Sequence, residues 1–385
     1  MNKKQFLTLV IALVVLAAAG AGVQWWQQRS WDQTDVQAGK KLLPTLTAIS
    51  VAEIALRNGT AEVHLVKKGA EWVVRERADF PADFSRIAEL LGKLADLKII
   101  QSDQVAPDKL ADFDLVAPKA GAGAGQGTAL ELKDASGKSL ATLLLGKTMM
   151  RKGMIPSQEG GPPLEGDIPY GRYVISGAES IAAVSEPLAQ ADANPSTWLV
   201  KELFRIDPAK SVTSFGPGGE SRWTMTKANG LWGWTGGEKP DPQKAQDVIS
   251  ALYLVMSKDV VADPVAVDTG LSKSVTLKAD TPDGVNYTVK IGAKADDDSY
   301  YLSFTLTGEP PKVRPPEKGE SAEDKAKRDK EYGEQRVKVI ERLDREKLFA
   351  KWTYKTPKYA AELLLRDRAQ LMPEKKKGAK AGAGR

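Results

Sequence analysis

The sequence predicts an α+β protein: a single N-terminal transmembrane helix followed by two tandem duplicated units, each a mainly antiparallel sheet packed with helices. Three observations lead there. An uncharged, largely apolar run from Phe6 to Val23 opens the chain. Two helical stripes recur at one fixed offset: Ile87, Leu90, Leu91, Leu94 and Leu97, then Ala245, Val248, Ile249, Leu252 and Val255, each 158 above its counterpart. The same order of hairpin, helix, hairpin, strand and helix surrounds both stripes.

The first element, residues 1–30, is a short cytoplasmic stub and a membrane anchor. In a helix, the run Phe6–Val23 spans about 27 Å, close to the hydrocarbon core of a bilayer. Phe6, Leu9, Leu13, Leu16 and Val23 are its candidate anchor residues. Lys3 and Lys4 precede it, and Trp25, Trp26 and Trp31 follow as an interfacial aromatic belt. This polarity keeps the N-terminus in the cytoplasm and exports the rest of the chain, as expected for a single-pass protein of a bacterial inner membrane with a periplasmic body. Cleavage of the segment as a signal peptide is the alternative. Ala17-Ala18-Ala19 and Ala19-Gly20-Ala21 both satisfy the small-x-small rule, although the run is longer than the usual apolar core of about 7–15 residues.

The first unit is expected over 46–192 and the second over 193–372. Each begins with a hairpin that carries a tryptophan just past a glycine turn: Gly69 and Trp72, then Gly230 and Trp232. Asp83 and Asp241 are natural N-caps for the two helices, and Pro242 suits a first helical position. Strand pairs follow at 130–133 with 142–146, and at 275–278 with 287–292. Each unit then closes with an aromatic strand and a helix: Tyr173–Ile175 before Ala178–Ala189, and Trp352–Tyr354 before Pro357–Leu371. Three stretches fall outside the repeat. Residues 117–128 read as a Gly-rich flexible linker, 308–336 as a charged, solvated insertion, and 373–385 as a disordered basic tail.

Composition and motifs exclude several chemistries. The chain of 385 residues has no cysteine, so it has no disulfide, thiolate or Cys-based metal site. Its net charge of +5 lies in Lys3, Lys4 and the C-terminal tail, leaving the body close to neutral, which argues against a nucleic-acid surface. The glycines of 121–127 miss the dinucleotide pattern, and Ser136-Gly137-Lys138-Ser139 lies in a hairpin turn rather than before a helix. His64 is the only histidine and is expected on the more polar face of its strand. Asp296-Asp297-Asp298 lacks the spacing of a calcium loop and reads as loop solvation. No catalytic residue, metal or cofactor is predicted. Trp223 and Trp234 read as core residues, with a ligand-stacking platform as the other reading.

The Lys3-Lys4 anchor, the Gly69–Trp72 and Gly230–Trp232 hairpins, Gly270-Leu271 before Val275 and Leu277, and the pair Leu145-Gly146 with Ile291-Gly292 together resemble a known family. It is the domain-of-unknown-function family 4340 of membrane-anchored bacterial envelope proteins, over about residues 1–372. The resemblance implies an accessory or scaffold role beside an ABC-type transport system, including gliding-motility auxiliary components, and supplies no catalytic residues. Partners expected are the lipid bilayer, through the N-terminal helix, and other envelope or transporter proteins. A glycan- or peptide-binding module using Trp223 and Trp234 is the alternative.

Overall fold

The computed structural model describes residues 37–121, 123–156, 161–177, 181–235, 239–317 and 319–374. The expected membrane helix Phe6–Val23 and residues 375–385 of the tail lie outside them. Among the described residues, no helix is long and apolar enough to cross a membrane. The chain divides into two units, the first made of residues up to Ala70 with Phe84–Pro195, the second of Glu71–Asp83 with the chain from Ser196 onward. The first unit ends at Pro195, against an expected 192, and residues 71–83 group with the second unit rather than the first.

In chain order the first half gives β1 (Glu53–Arg57), β2 (Glu62–Lys68), β3 (Glu71–Val74), β4 (Phe80–Pro81), α1 (Phe84–Ala95), β5 (Ile99–Asp103), β6 (Thr128–Lys133), β7 (Ser139–Ile155), β8 (Leu164–Ser176) and β9 (Ile181–Val184). The first unit's strands lie in the order β2-β1-β6-β7-β8-β9-β5, with antiparallel neighbours throughout. Alternation builds its core. Ile54 pairs with Leu65 and Leu132, Leu56 with Val63 and Leu130, and all six are fully buried. In α1 the expected stripe of Ile87, Leu90, Leu91 and Leu94 is buried, as is Leu97 beyond it.

The second half gives β10 (Glu202–Phe204), β11 (Ser211–Phe215), β12 (Ser221–Ala228), β13 (Leu231–Trp234), α2 (Pro242–Tyr253), β14 (Val255–Met256), β15 (Asp259–Val260), β16 (Val275–Asp280), β17 (Asn286–Lys294), β18 (Tyr300–Thr307), α3 (Ala322–Phe349), β19 (Tyr354–Thr356) and α4 (Lys358–Leu364). Its main sheet runs β13-β12-β11-β16-β17-β18-β19-β15, and β10 pairs separately with β14. From β12 onward this is the strand order of the first unit, position by position. Helix α2 spans the residues that lie 158 beyond the ends of α1. Asp241 caps it by accepting from the N–H groups of Gln243 and Lys244. In its stripe Ala245, Val248, Leu252 and Val255 are buried and Ile249 is half-buried.

Glycine makes the same close approach in both units. A Cβ on Gly146, in β7, would lie 2.3 Å from the Phe113 carbonyl oxygen, and one on Gly292, in β17, 2.1 Å from that of Thr269. Both obstacles are backbone, flanked by Leu115 and Leu271 respectively. The duplication thus extends from strand order down to single residues.

Four expectations are corrected. Residues 181–184, expected within the helix Ala178–Ala189, form strand β9, paired with β8 on one side and β5 on the other. An apolar run buried on all sides has no period to distinguish a strand from a helix. The charged insertion is not an excursion throughout. From Ala322 it is helical and continuous with the segment after Lys338, capped by Ser321, whose Oγ accepts from the Asp324 N–H. The Pro-rich stretch before it is tied to that helix by Arg314 on Asp329 (2.8 Å) and by the Tyr332 hydroxyl on the Pro311 carbonyl (2.8 Å). The Gly-rich stretch is hydrogen-bonded in place, with Gly121 N–H on the Gly59 carbonyl and Gly127 N–H on that of Val116. The closing helix is short, ending at Leu364, and turns carry the chain on to buried Leu371.

Candidate functional site

Strands β7 and β8 are the longest among the described residues because they continue past the sheet. Pairing with β6 ends at Leu145, and pairing with β9 begins at Arg172. Between these points the two strands pair only with each other among the described residues, from Thr148 opposite Arg172 out to Ile155 opposite Leu164. The result is a two-stranded ribbon with both backbone edges open. Its side chains are unusually apolar for such a position: Met150 is 56% exposed, Met154 61%, Ile155 43% and Leu164 66%. A bulge between Met149 and Met150 redirects the side chains as the ribbon leaves the sheet.

The glycines of the ribbon shape one face. Gly153 and Gly166 are cross-strand partners. A Cβ on Gly153 would meet Ile168 Cδ1 at 2.6 Å, and one on Gly166 would meet Ile155 Cδ1 at 2.5 Å. Both isoleucine tips therefore reach over the glycine pair and, with Leu164, make an apolar strip on the face that Arg151 shares opposite Ile168. The opposite face mixes Met150 and Met154 with the ion pair Lys152–Asp167 at 3.0 Å. Open edges with an apolar strip are the two requirements for adding an extended strand from another chain.

The second unit carries an apolar groove of about 290 Å³ between α2 and α4, lined by Ala251, Leu254, Met256, Tyr359 and Leu363 among others. Asp247 on its rim is paired with Arg366 at 3.3 Å. A separate buried cluster surrounds Glu346, whose carboxyl accepts from the Tyr287 hydroxyl at 2.7 Å and from the Arg205 N–H at 3.1 Å. Burial pushes the Glu346 carboxyl above the ordinary glutamate value, against those bonds and the charges of Arg342 and Arg345. Burial and the adjacent carboxylate push the Tyr287 hydroxyl up as well.

Trp223 and Trp234 are brought together, with ring centroids 6.2 Å apart, but both are in the core, 3% and 9% exposed. Trp223 donates its indole N–H to the Arg366 carbonyl, Arg368 covers the Trp234 ring at 5.2 Å, and β13 packs on α2. A stacking platform must offer a ring face to solvent, and neither ring does so. His64 is half-buried, cross-strand from Ala55 and 3.7 Å from Glu62. The aspartate run is matched by lysines: Asp297 by Lys258 and Lys355, Asp298 by Lys294 and Lys358. Partial burial opposes the ionisation of Asp297, but bonds from Ser299 and Lys258 and the charge of Lys355 hold its carboxyl well below the usual range. At Ser136–Ser139 the structure has the expected hairpin turn, with Asp134 accepting from the N–H groups of Ser136 and Lys138.

The ribbon escaped the sequence reading because the expected strand, 142–146, is an apolar run, Leu143-Leu144-Leu145, with no alternation to extend. Beyond it the bulge between Met149 and Met150 shifts the register. No curated protein and no solved structure matches the chain. One family model does, described as a domain of unknown function (DUF4340), over two tandem stretches, 72–154 and 166–282, more than half of the chain. The break between the stretches falls at the end of the ribbon. The chain therefore belongs to the DUF4340 family.

Proposed function

We propose that this chain is a non-catalytic, membrane-tethered extracytoplasmic protein, an accessory or scaffold component beside an ABC-type transport system, which docks its partner through the β7–β8 ribbon. The observation that carries this reading is the ribbon itself. Four large apolar side chains stand exposed on strands whose edges have no partner among the described residues. A strand of alternating apolar residues from an envelope protein would complete the hydrogen-bond ladder and cover Ile155, Leu164 and Ile168. The uncharged run Phe6–Val23 supports the tether, and the family resemblance supports the setting beside a transporter.

The test is capture from membranes in mild detergent, with a photo-crosslinking residue at Met154, followed by mass spectrometry. A crosslinked envelope or transporter protein is expected, lost when Ile155 and Leu164 are changed to lysine. Recovery of no crosslinked partner, or one retained in that variant, would overturn the docking role. N-terminal sequencing of the membrane-derived protein should find the initiating region intact. A mature start near Gly20 or Gly22 would end the tether.

A further inference from the structure

A cavity of about 170 Å³ lies in the second unit, where β10 meets the end of α2 and the last turns of α3. Arg205, Arg342 and Arg345 line it, with Leu203, Phe204 and Leu254 as apolar walls. Two carboxyls share the space, those of Glu202 and Glu346. Both oxygens of Glu346 are already engaged, by the Tyr287 hydroxyl and the Arg205 backbone N–H. Arg342 Nε approaches Glu346 at 3.6 Å, beyond hydrogen-bonding distance, and this buried N–H has no acceptor. The Arg205 guanidinium lies 5.4 Å over the Tyr253 ring, and Arg345 forms no ion pair among the described residues.

A buried, charged donor without an acceptor is costly, and native structures seldom leave one. Arginines gathered around a concave polar space are the usual means of holding an oxyanion. These three arrive from two separate elements, β10 with the residue after it and α3. That arrangement matches a tetrahedral anion, with an oxygen for each, better than a carboxylate with only two. The volume of about 170 Å³ accommodates one such group.

We propose that this cavity binds a phosphate group, either inorganic phosphate or the terminal phosphomonoester of a larger solute. Arg342 Nε donates to one oxygen, and Arg205 and Arg345 neutralise the charge from the other sides. The full chain in mild detergent would be titrated calorimetrically with inorganic phosphate, with glycerol 3-phosphate and with acetate, at an ionic strength held constant with chloride. Saturable phosphate binding is expected, weaker by about tenfold in Arg342→Gln and in Arg345→Gln. Arg345 is exposed on α3, so its variant folds even if the Arg342 variant does not. Tighter binding of glycerol 3-phosphate identifies a larger solute as the source, and equal or weaker binding identifies phosphate itself. No saturable binding of phosphate, undiminished affinity in the Arg345 variant, or acetate binding as tightly as phosphate would each overturn the site.

Discussion

Phe80 meets Trp352 edge-on, with ring centroids 5.0 Å apart, although 272 positions separate them in the chain. Phe349 at 5.5 Å and Tyr354 at 5.8 Å complete an aromatic nest around a fully buried ring. Arg77, three residues earlier, grips Asp259 with two parallel bonds of 2.7 and 2.9 Å. The hairpin that precedes α1 in sequence is therefore a structural part of the second unit. Phe80→Ala should cost about 3–5 kcal/mol. The loss should appear in the second unit: hydrogen exchange should rise in α3 and β19 and stay unchanged in β6 and β7. Faster exchange confined to the first unit would contradict the assignment of 71–83.

Gly146 and Gly292 each lie against a carbonyl oxygen that cannot retreat without moving its loop. Gly146→Ala and Gly292→Ala should each destabilise the protein by about 1–3 kcal/mol, the usual scale for overpacking. Chemical denaturation is the measurement, and the two effects should have the same sign and similar size. A neutral result at either position would show that the close approach is not equivalent in the two repeats.

The apolar stripes give a paired prediction. Leu94→Ala and Leu252→Ala remove fully buried side chains at matching positions and should cost about 2–5 kcal/mol each. Leu94→Asp, which places a charge where no partner exists, should unfold the first unit. Lys93, one residue earlier, makes an i,i+4 pair with Glu89 at 2.9 Å on the outer face. Its replacement by alanine should change stability by no more than about 0.5 kcal/mol. A larger loss at Lys93 than at Leu94 would reverse the inward and outward faces of α1.

Glu346 predicts a dependence on pH. Its carboxyl is raised above the ordinary value of 4.5 in the folded protein, so the native state holds this proton more tightly than the unfolded state. The contribution is complete below the unfolded value and is lost as pH rises through the folded one. In Glu346→Gln an amide can still accept from the Arg205 N–H but no longer titrates. Melting curves of the wild type and this variant should therefore converge, or cross, as pH rises from 4 towards neutrality (about the range set by these values). A difference that is constant, or that grows in favour of the wild type, would show that the carboxyl is not raised.

Much of this architecture was legible in the residue order because it depends on local period. The steps of three and four in 87–97 and 245–255 dictate one buried stripe per helix, whatever surrounds them. Alternation and glycine turns likewise dictate the hairpins around 134–137 and 281–284, and the offset of 158 exposes the duplication without any coordinates. Other features have no local signature. Ile181-Ala182-Ala183-Val184 becomes a strand only because β8 and β5 supply hydrogen bonds on both sides. The mixed charges after Ala322 stay helical with the last turns, Leu343, Glu346 and Phe349, buried in the second unit. The ownership of Phe80, the open ribbon beyond Leu145 and the meeting of Arg205 with Arg342 depend on residues tens to hundreds of positions apart. Such contacts are set by which surfaces exclude water together. Period and turn chemistry act over a few residues, so the sequence alone determined the periodic elements, and tertiary packing decided the aperiodic ones and what they all build.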